Sequence, residues 1–492
     1  MCSSRDWWAT SFDMLRFGLQ VIRLRSLLRC HSKKIVALKE RHWRNLVRHA
    51  SNYSPFYRER FRGIDPSRCQ PSDLPPLTKS EMMAHFDDLV TDRRIRRAEV
   101  ERFIADSANL GRYYLQRYAV CHTSGSQGQP ALVVQEGSDI FLGLAAQLAR
   151  GREQQESFVM WLFRRIKTPI RLAAVTQKPG FYPSGAVFSY LAAKRAPIIR
   201  FLHLSVFEPV ADLVAQLNEF QPEIIVAYPS ALEALAREQG EGRLRQGGRL
   251  RQIVTMSEPL PETVRATIEA AFGLRVADHY ALAECMALST GCARNKGAHL
   301  NADLALLEVV DEHDRPVPDG TPGSKVLVTN LYNRVQPLIR YQVEDVVTMS
   351  PSACLCGNPF PLIESIAGRT EDRFWIEVNG VYREIAYFLF LAALHHCTDL
   401  AEHQVLQTGR NHFVVRVAPQ AGKVLSSERI DRLIRQSVEA EGLGDFVEWS
   451  IEIVPEILPN PGSGKVRRVR NLVGPPPGRP PLEHWSEVDV PR

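Results

Sequence analysis

Between about residues 115 and 290, short apolar runs alternate with segments of helical periodicity, and this pattern restricts the chain's fold more than any other. The runs are FVMWLF, RLAAVT, EIIVAYP and RQIVTM; segments such as PVADLVAQLNEF and PSALEALAREQ lie between them. Continuous apolar runs followed by helices predict parallel strands with crossover helices, the α/β arrangement in which both sheet faces are covered. Residues 302–348 read differently, as short strands separated by PDG and TPG turns, which predicts an antiparallel sheet or small barrel. Residues 369–473 alternate strand and helix again as a small α/β unit, while 37–63 and 92–105 carry charged helical periodicity. The remaining tail, GPPPGRPPLEHWSEVDVPR, is expected to be extended.

A chain of 492 residues with 45% hydrophobic content is too long for one core and long enough for two or three domains. Its 61 Lys and Arg against 55 Asp and Glu leave a mild excess of +6. That suits an anionic ligand such as a nucleotide and falls short of a nucleic-acid footprint, so nucleic acid is not an expected partner. No run reaches the length of a transmembrane segment. The opening MCSSRDWWATSFDMLRFGLQVIRLRSLLRC places Arg5, Asp6 and Asp13 where a secretion signal would have a basic start and an apolar middle. It reads as an amphipathic helix of a cytoplasmic protein, packed on its own domain in preference to a membrane surface. Nine scattered cysteines form no disulfide framework and fit a reducing compartment.

Two groups of residues carry chemistry. The run CHTSGSQGQP at 121–130 offers hydroxyls at Thr123, Ser124 and Ser126, with Gly125 and Gly128 to let backbone N–H groups converge on an anion. Taken alone it is a surface turn as readily as a phosphate cradle, and it lacks the lysine of a Walker loop. The second group is Cys292, His299 and the C-x-C of Cys354 and Cys356, followed by Gly357. Thiolates and an imidazole are the donors that structural zinc takes, and the alternative is four unrelated side chains on loops.

Taken together, HTSGSQGQP, SEPLP at 257–261, DHYALAECM at 278–286, PLIRYQVEDVV at 337–347, AGRTEDRF at 367–374 and NPGSGKVRRV at 460–469 resemble the adenylate-forming superfamily. They are most similar to its phenylacetate coenzyme A ligase branch, as are RHASNYSPFYRERF and LPPLTKSEM nearer the start.

The resemblance implies a large N-terminal α/β domain over 1–367, with a helical opening to about 110 and a small antiparallel β-subdomain. A small mobile C-terminal α/β domain over 368–473 and the tail 474–492 would follow. The implied activity is ATP-dependent activation of a carboxylic acid, aryl or arylacetic, to an acyl-AMP, then transfer to coenzyme A. Transfer to an amine or a carrier-protein thiol is the alternative, and a degenerate nucleotide-binding protein without turnover is a second. A homodimer is an open expectation.

Residue by residue, the resemblance places Thr123, Ser124, Gly125, Ser126 and Gly128 around the ATP phosphates. Ser257, Glu258 and Pro259 would lie along the adenine face, Tyr280 stacked on adenine, Glu284 on Mg²⁺ and Asp345 on the ribose hydroxyls. Lys465 would bridge the attacking carboxylate and the α-phosphate, and Arg369 belongs to the hinge with Glu371 and Asp372. Some members of the branch carry cysteines and a histidine matching the zinc candidates, and Cys285 is a possible substitute ligand. The chain departs from the pattern at Gln127, at Gln129, at Ala281 and Ala283 in place of a glycine and a threonine, and at Glu344 in place of a glycine.

Overall fold

A computed structural model describes residues 17–123, 130–151, 165, 167–176, 180–194, 198–206, 208–258, 260, 262–292, 294, 296–369, 374–385, 390, 394, 397, 399–420, 422–440, 442–457 and 469–473. The chain divides into two compact units, one of residues 1–123, 131–343 and 347–367, the other of 124–130, 344–346 and 368–492.

The first unit opens with helices at Ser32–Tyr53 and Pro55–Arg60. The break between them is local chemistry: buried Ser54 accepts a hydrogen bond from the Tyr57 N–H at 3.3 Å, and Pro55 occupies the first helical position. Their apolar faces, Trp43, Leu46, Val47 and Tyr57, share one core with residues of strands β1 (Tyr118–His122) and β2 (Leu132–Glu136). These two strands are antiparallel with His122 opposite Leu132, so residues 123–131 connect a hairpin.

The central sheet comprises β3 (Ile170–Thr176), β4 (Ile199–Ser205), β5 (Ile224–Ala227), β6 (Gln252–Met256) and β7 (Val276–His279). All are parallel, in the order β4-β3-β5-β6-β7. Alternate residues cover the two faces, as strand geometry requires. Ile225, Ala227 and Ile253 join Leu217, Leu232 and Ile268 of the helices Val210–Phe220, Pro229–Gly240 and Glu262–Phe272. Ile224, Val226, Val254 and Ala277 face Phe188 and Leu191 of the helix Pro183–Lys194. The predicted runs RLAAVT, EIIVAYP and RQIVTM coincide with β3, β5 and β6. FVMWLF lies outside the described residues, and β4 was not anticipated because Arg200 and His203 interrupt its apolar pattern on an edge strand.

Beyond the parallel sheet, β8 (Ser289–Gly291), β9 (Ala298–Leu300), β10 (Ala305–Val310), β11 (Lys325–Asn330), β12 (Tyr341–Val343), β13 (Asp345–Met349) and β14 (Leu362–Arg369) form two separate sheets, β10-β11-β12 and β13-β14-β9-β8. The open alternative of sheet or barrel thus resolves as paired small sheets.

A buried polar knot ties these sheets to the α/β core. Arg150, at the end of the helix Leu142–Arg150, donates to both carboxylate oxygens of Asp303 at 2.8 and 2.9 Å and to Asn301 Oδ1 at 2.6 Å. Its guanidinium lies 4.2 Å from the centre of the Phe360 ring. Both charged side chains are buried, where removing one partner leaves the other uncompensated at high cost.

In the second unit, β15 (Phe374–Val378) and β16 (Val381–Ile385) make a hairpin through Asn379 and Gly380, whose φ values of 51° and 77° suit the tight primed turn. Strands β17 (Leu400–Gln407), β18 (His412–Pro419), β19 (Glu448–Ile453) and β20 (Val469–Asn471) form a sheet in the order β19-β18-β17-β20. Helix Ser427–Ala440 contributes Ile430, Ile434 and Val438 at four-residue spacing to a core with Phe374, Phe390 and Phe413. No described helix is long and apolar enough to cross a membrane.

Candidate active site and metal cluster

Ligands of open parallel sheets bind beyond the carboxyl ends of the strands, and several candidate residues of the first unit fall there. Ser257 follows β6 and Tyr280 follows β7; Met256 pairs with His279, so the two candidates leave neighbouring strands at the same level. Ser257 has a left-handed backbone, φ 67°, at a position where a residue with a Cβ pays for that geometry. The Ser289 hydroxyl clamps the Tyr280 backbone, accepting from its N–H at 3.0 Å and donating to its carbonyl at 2.8 Å. The Tyr280 ring packs among Leu288, Leu300 and Val328.

Glu284 lies in the loop after Tyr280, with its carbonyl held by the Asn330 side-chain amide at 2.8 Å. It is buried. Burial first, and the Glu284 charge second, push the Cys121 thiol far above its ordinary range. The carboxylate therefore acts on the strand that leads directly into residues 123–131. At the base of that connection, the Thr123 hydroxyl accepts from the Ala131 N–H at 2.9 Å, leaving its proton to donate elsewhere. The His122 ring lies 4.5 Å from that of Tyr182. Ser124, Gly125, Ser126 and Gly128 lie outside the described residues, as do Pro259, Glu371, Asp372 and Lys465. Glu258 is half-buried beside Ser257.

Asp345 opens β13 and is buried. Arg369 ends β14. Arg340, in the same motif as Asp345, has φ 51° and is committed elsewhere: its guanidinium pairs with Glu308 at 3.1 Å and donates to the Leu74 carbonyl. The frame of the PLIRYQVEDVV motif is thus fastened to the N-terminal segment, since the Leu77 N–H also donates to the Arg340 carbonyl at 2.9 Å.

The second constellation assembles from the connection after β8, from strand β9 and from the connection before β14. Cys292, His299, Cys354 and Cys356 place their donor atoms within 4.8 Å of one another. The Cys292 and Cys354 sulfurs are 3.8 Å apart, and His299 Nε2 is 3.2 Å from the Cys356 sulfur. Two thiolates on one tetrahedral zinc, each at about 2.3 Å, would be separated by about 3.8 Å. His299 Nδ1 lies 3.0 Å from the Phe360 carbonyl; donation there leaves the Nε2 lone pair facing the thiols. The backbone N–H groups of Arg294 and Asn358 donate to the Cys292 and Cys356 sulfurs at 3.5 and 3.4 Å. Gly357, with φ 78° and open space where a Cβ would sit, turns the chain after the C-x-C pair. Burial, and then the neighbouring thiols, push Cys356 up to about 12 in the absence of a cation. Cys285 is not in the cluster; it is buried against Tyr280 and Leu288, which removes it as a substitute ligand.

The structure adds residues that the sequence did not single out. Asp278 on β7 accepts from the Thr255 hydroxyl at 2.8 Å, and burial raises its carboxyl pKa. Burial also lowers His279 to about 4, so its ring is neutral at physiological pH. The Phe360 carbonyl behind His299 had no sequence signal, because a backbone acceptor is independent of side-chain identity.

Residues 116–329 match the family described as AMP-binding enzyme. A phenylacetate-coenzyme A ligase of Thermus thermophilus is 32% identical over 174 residues, covering 34% of this chain and 39% of that protein. The Pseudomonas putida phenylacetate-coenzyme A ligase is 24% identical over 351 residues, covering 68% of this chain and 71% of its own length. A solved 2-hydroxyisobutyryl-CoA ligase in the postadenylation state superposes with a TM-score of 0.63 at 22% identity, covering 90% of each chain. Residues 116–329 are thus similar to the AMP-binding enzyme family, and the chain has the fold of the solved 2-hydroxyisobutyryl-CoA ligase. Its homologues include phenylacetate-coenzyme A ligases, although the matched segment spans well under half of the Thermus relative.

Proposed function

We propose that this protein is an AMP-forming acid–thiol ligase, which joins a carboxylic acid to AMP with release of pyrophosphate and then passes the acyl group to coenzyme A. The observation that carries the reading is that Ala283 and Met286, on either side of Glu284, share a buried cluster with Cys121 of β1, the strand that leads into the hydroxyl- and glycine-rich run 123–131. A carboxylate there suits Mg²⁺, a hard cation that keeps most of its water and takes one or two protein oxygens. When bound, that ion disperses phosphate charge. The chain's residues would do the rest: Thr123 and the loop orient the pyrophosphate in line, and Lys465 concentrates positive charge where the carboxylate meets the α-phosphorus. The names of the relatives favour an aryl or arylacetic acid.

Asp345 is proposed to accept hydrogen bonds from the ribose hydroxyls. Asp345→Ala then raises the KM for ATP by about ten- to a hundredfold, the scale of one lost charge-assisted pair, with a smaller change for the acid. Initial rates at varied ATP check it, and an unchanged KM removes the assignment.

A carboxylate-dependent pyrophosphate exchange screen tests the first half-reaction, and a requirement for coenzyme A in AMP release tests the second. AMP release that proceeds with an amine or a carrier protein in place of coenzyme A would favour the other acceptors. Buried Ala283, where the related motif has a threonine, removes a hydroxyl and favours slow chemistry or binding alone. Absence of exchange with every acid would support the binding protein.

The four-residue cluster is proposed to hold a structural Zn²⁺. Its thiol-rich donor set closes around the centre and leaves no position for a substrate, which distinguishes it from a catalytic site. The ion would fasten the connections after β8 and before β14 to β9.

A further inference from the structure

The chain's charge is unevenly placed. Of its 61 Lys and Arg, six lie in residues 17–39 (Arg23, Arg25, Arg29, Lys33, Lys34 and Lys39), and this stretch has no Asp or Glu. The rest of the protein is balanced, 55 cations against 55 anions, so the whole net charge of +6 resides here.

Among the described residues, the stretch is held through its buried aliphatic side chains. Val21 and Leu24 pack against Leu142, Ala145 and Ala149, while Leu27 and Ile35 enter a second cluster. On the intervening helical turns, Leu19 and Ile22 point away from that contact, 56% and 43% exposed, and Val36 is 46% exposed in the following helix. Arg23, Arg29, Lys33 and Lys34 are exposed beside them. Among the described residues, none of these four forms an ion pair.

Large aliphatic side chains turned to solvent among cations, in a stretch that itself contains no Asp or Glu and whose first following acid, Glu40, is paired with Arg44, form the surface that an anionic bilayer matches. Lysine and arginine meet the headgroups while leucine and isoleucine enter the acyl boundary. From this placement we infer that residues 17–39 dock the protein peripherally on an anionic phospholipid membrane. The surface belongs wholly to the first unit and shares none of the proposed nucleotide or zinc residues. Its role is therefore independent of the ligase chemistry. The expectation that the opening helix merely packs on its own domain describes only its inner face.

Co-sedimentation of the full chain with vesicles tests the inference. Phosphatidylcholine vesicles containing phosphatidylglycerol should carry the protein down at low salt, and phosphatidylcholine alone should not. Raising the salt to about 0.5 M should release it, because screening at that strength shortens electrostatic reach to a few ångströms. Lys33→Glu with Lys34→Glu should weaken binding at least about tenfold, since each cation near an anionic surface contributes about fivefold. Leu19→Ser with Ile22→Ser should weaken it while leaving the salt dependence, and pyrophosphate exchange should persist in both variants as a check of folding. Equal sedimentation with both vesicle types, or no loss in the lysine variant, would overturn the proposal. So would tighter binding to duplex DNA than to anionic vesicles, which would assign the surface to nucleic acid.

Discussion

Lys465→Ala leaves ATP affinity nearly intact and lowers the adenylation rate by about 10²-fold or more, the scale observed when one preorganised charge-stabilising group is removed. The reason is differential binding. An ammonium that meets the carboxylate and the α-phosphate together does so mainly as the new bond forms, so it contributes little to ground-state binding of ATP. On the ligase reading, rotation at the GRTED hinge carries this lysine away before thiol attack. Thioester formation from synthetic acyl-AMP therefore survives far better than adenylation in the same preparation. Pyrophosphate exchange measures the first step and single-turnover transfer the second. Equal loss in both would assign the residue a different role, and no loss in either would favour a nucleotide-binding protein without turnover.

If the cluster holds zinc as proposed, purified protein should contain about one zinc per chain, and Cys354→Ser with Cys356→Ser should lower both the metal content and the Tm, the latter by at least about 5 °C. The expected size follows from what the ion would hold. Cys292 and the C-x-C pair come from separate connections of one small sheet and His299 from its strand β9, and His299 is oriented through Phe360, whose ring covers the buried Arg150 guanidinium. Losing two thiolates would release the 354–357 turn and loosen the support beneath an ion pair that has no water to replace its partners. Metal analysis and a thermal melt on the same samples decide the point. Metal-free protein of unchanged stability would leave the four side chains as an ordinary buried cluster. Restored stability in the Cys→Ser variant on adding zinc would exclude these sulfurs as ligands.

The departures at Ala283 and Glu344 are accommodated by the fold around them. Ala283 is buried with Ala119, Cys121 and Ile140, where its small apolar side chain leaves no hydroxyl to be paired. Glu344 sits between β12 and β13, next to Asp345, where a second carboxylate adds negative charge near the proposed ribose acceptor. Neither change disturbs the strands around it.

Much of the α/β architecture was legible in the residue order. Strand β5, IIVA, is apolar at every position, and consecutive residues of both β5 and β6 are buried because both faces of a parallel strand are covered; the helices between them carry their own periodicity. The zinc candidates were legible for a different reason: thiols and imidazoles are few, and their chemistry narrows what they can hold. Local order alone did not determine the strand sequence β4-β3-β5-β6-β7, nor that Arg200 and His203 sit on an edge strand. It did not show that Cys292 meets Cys354, separated by 62 positions, or exclude Cys285. Nor did it reveal that Arg150 in an alanine-rich helix finds Asp303 and Phe360. Periodicity records the surroundings of a segment, one residue after another. Which segments meet is decided by packing and chain closure over long separations, and those energies exist only once the whole chain has folded.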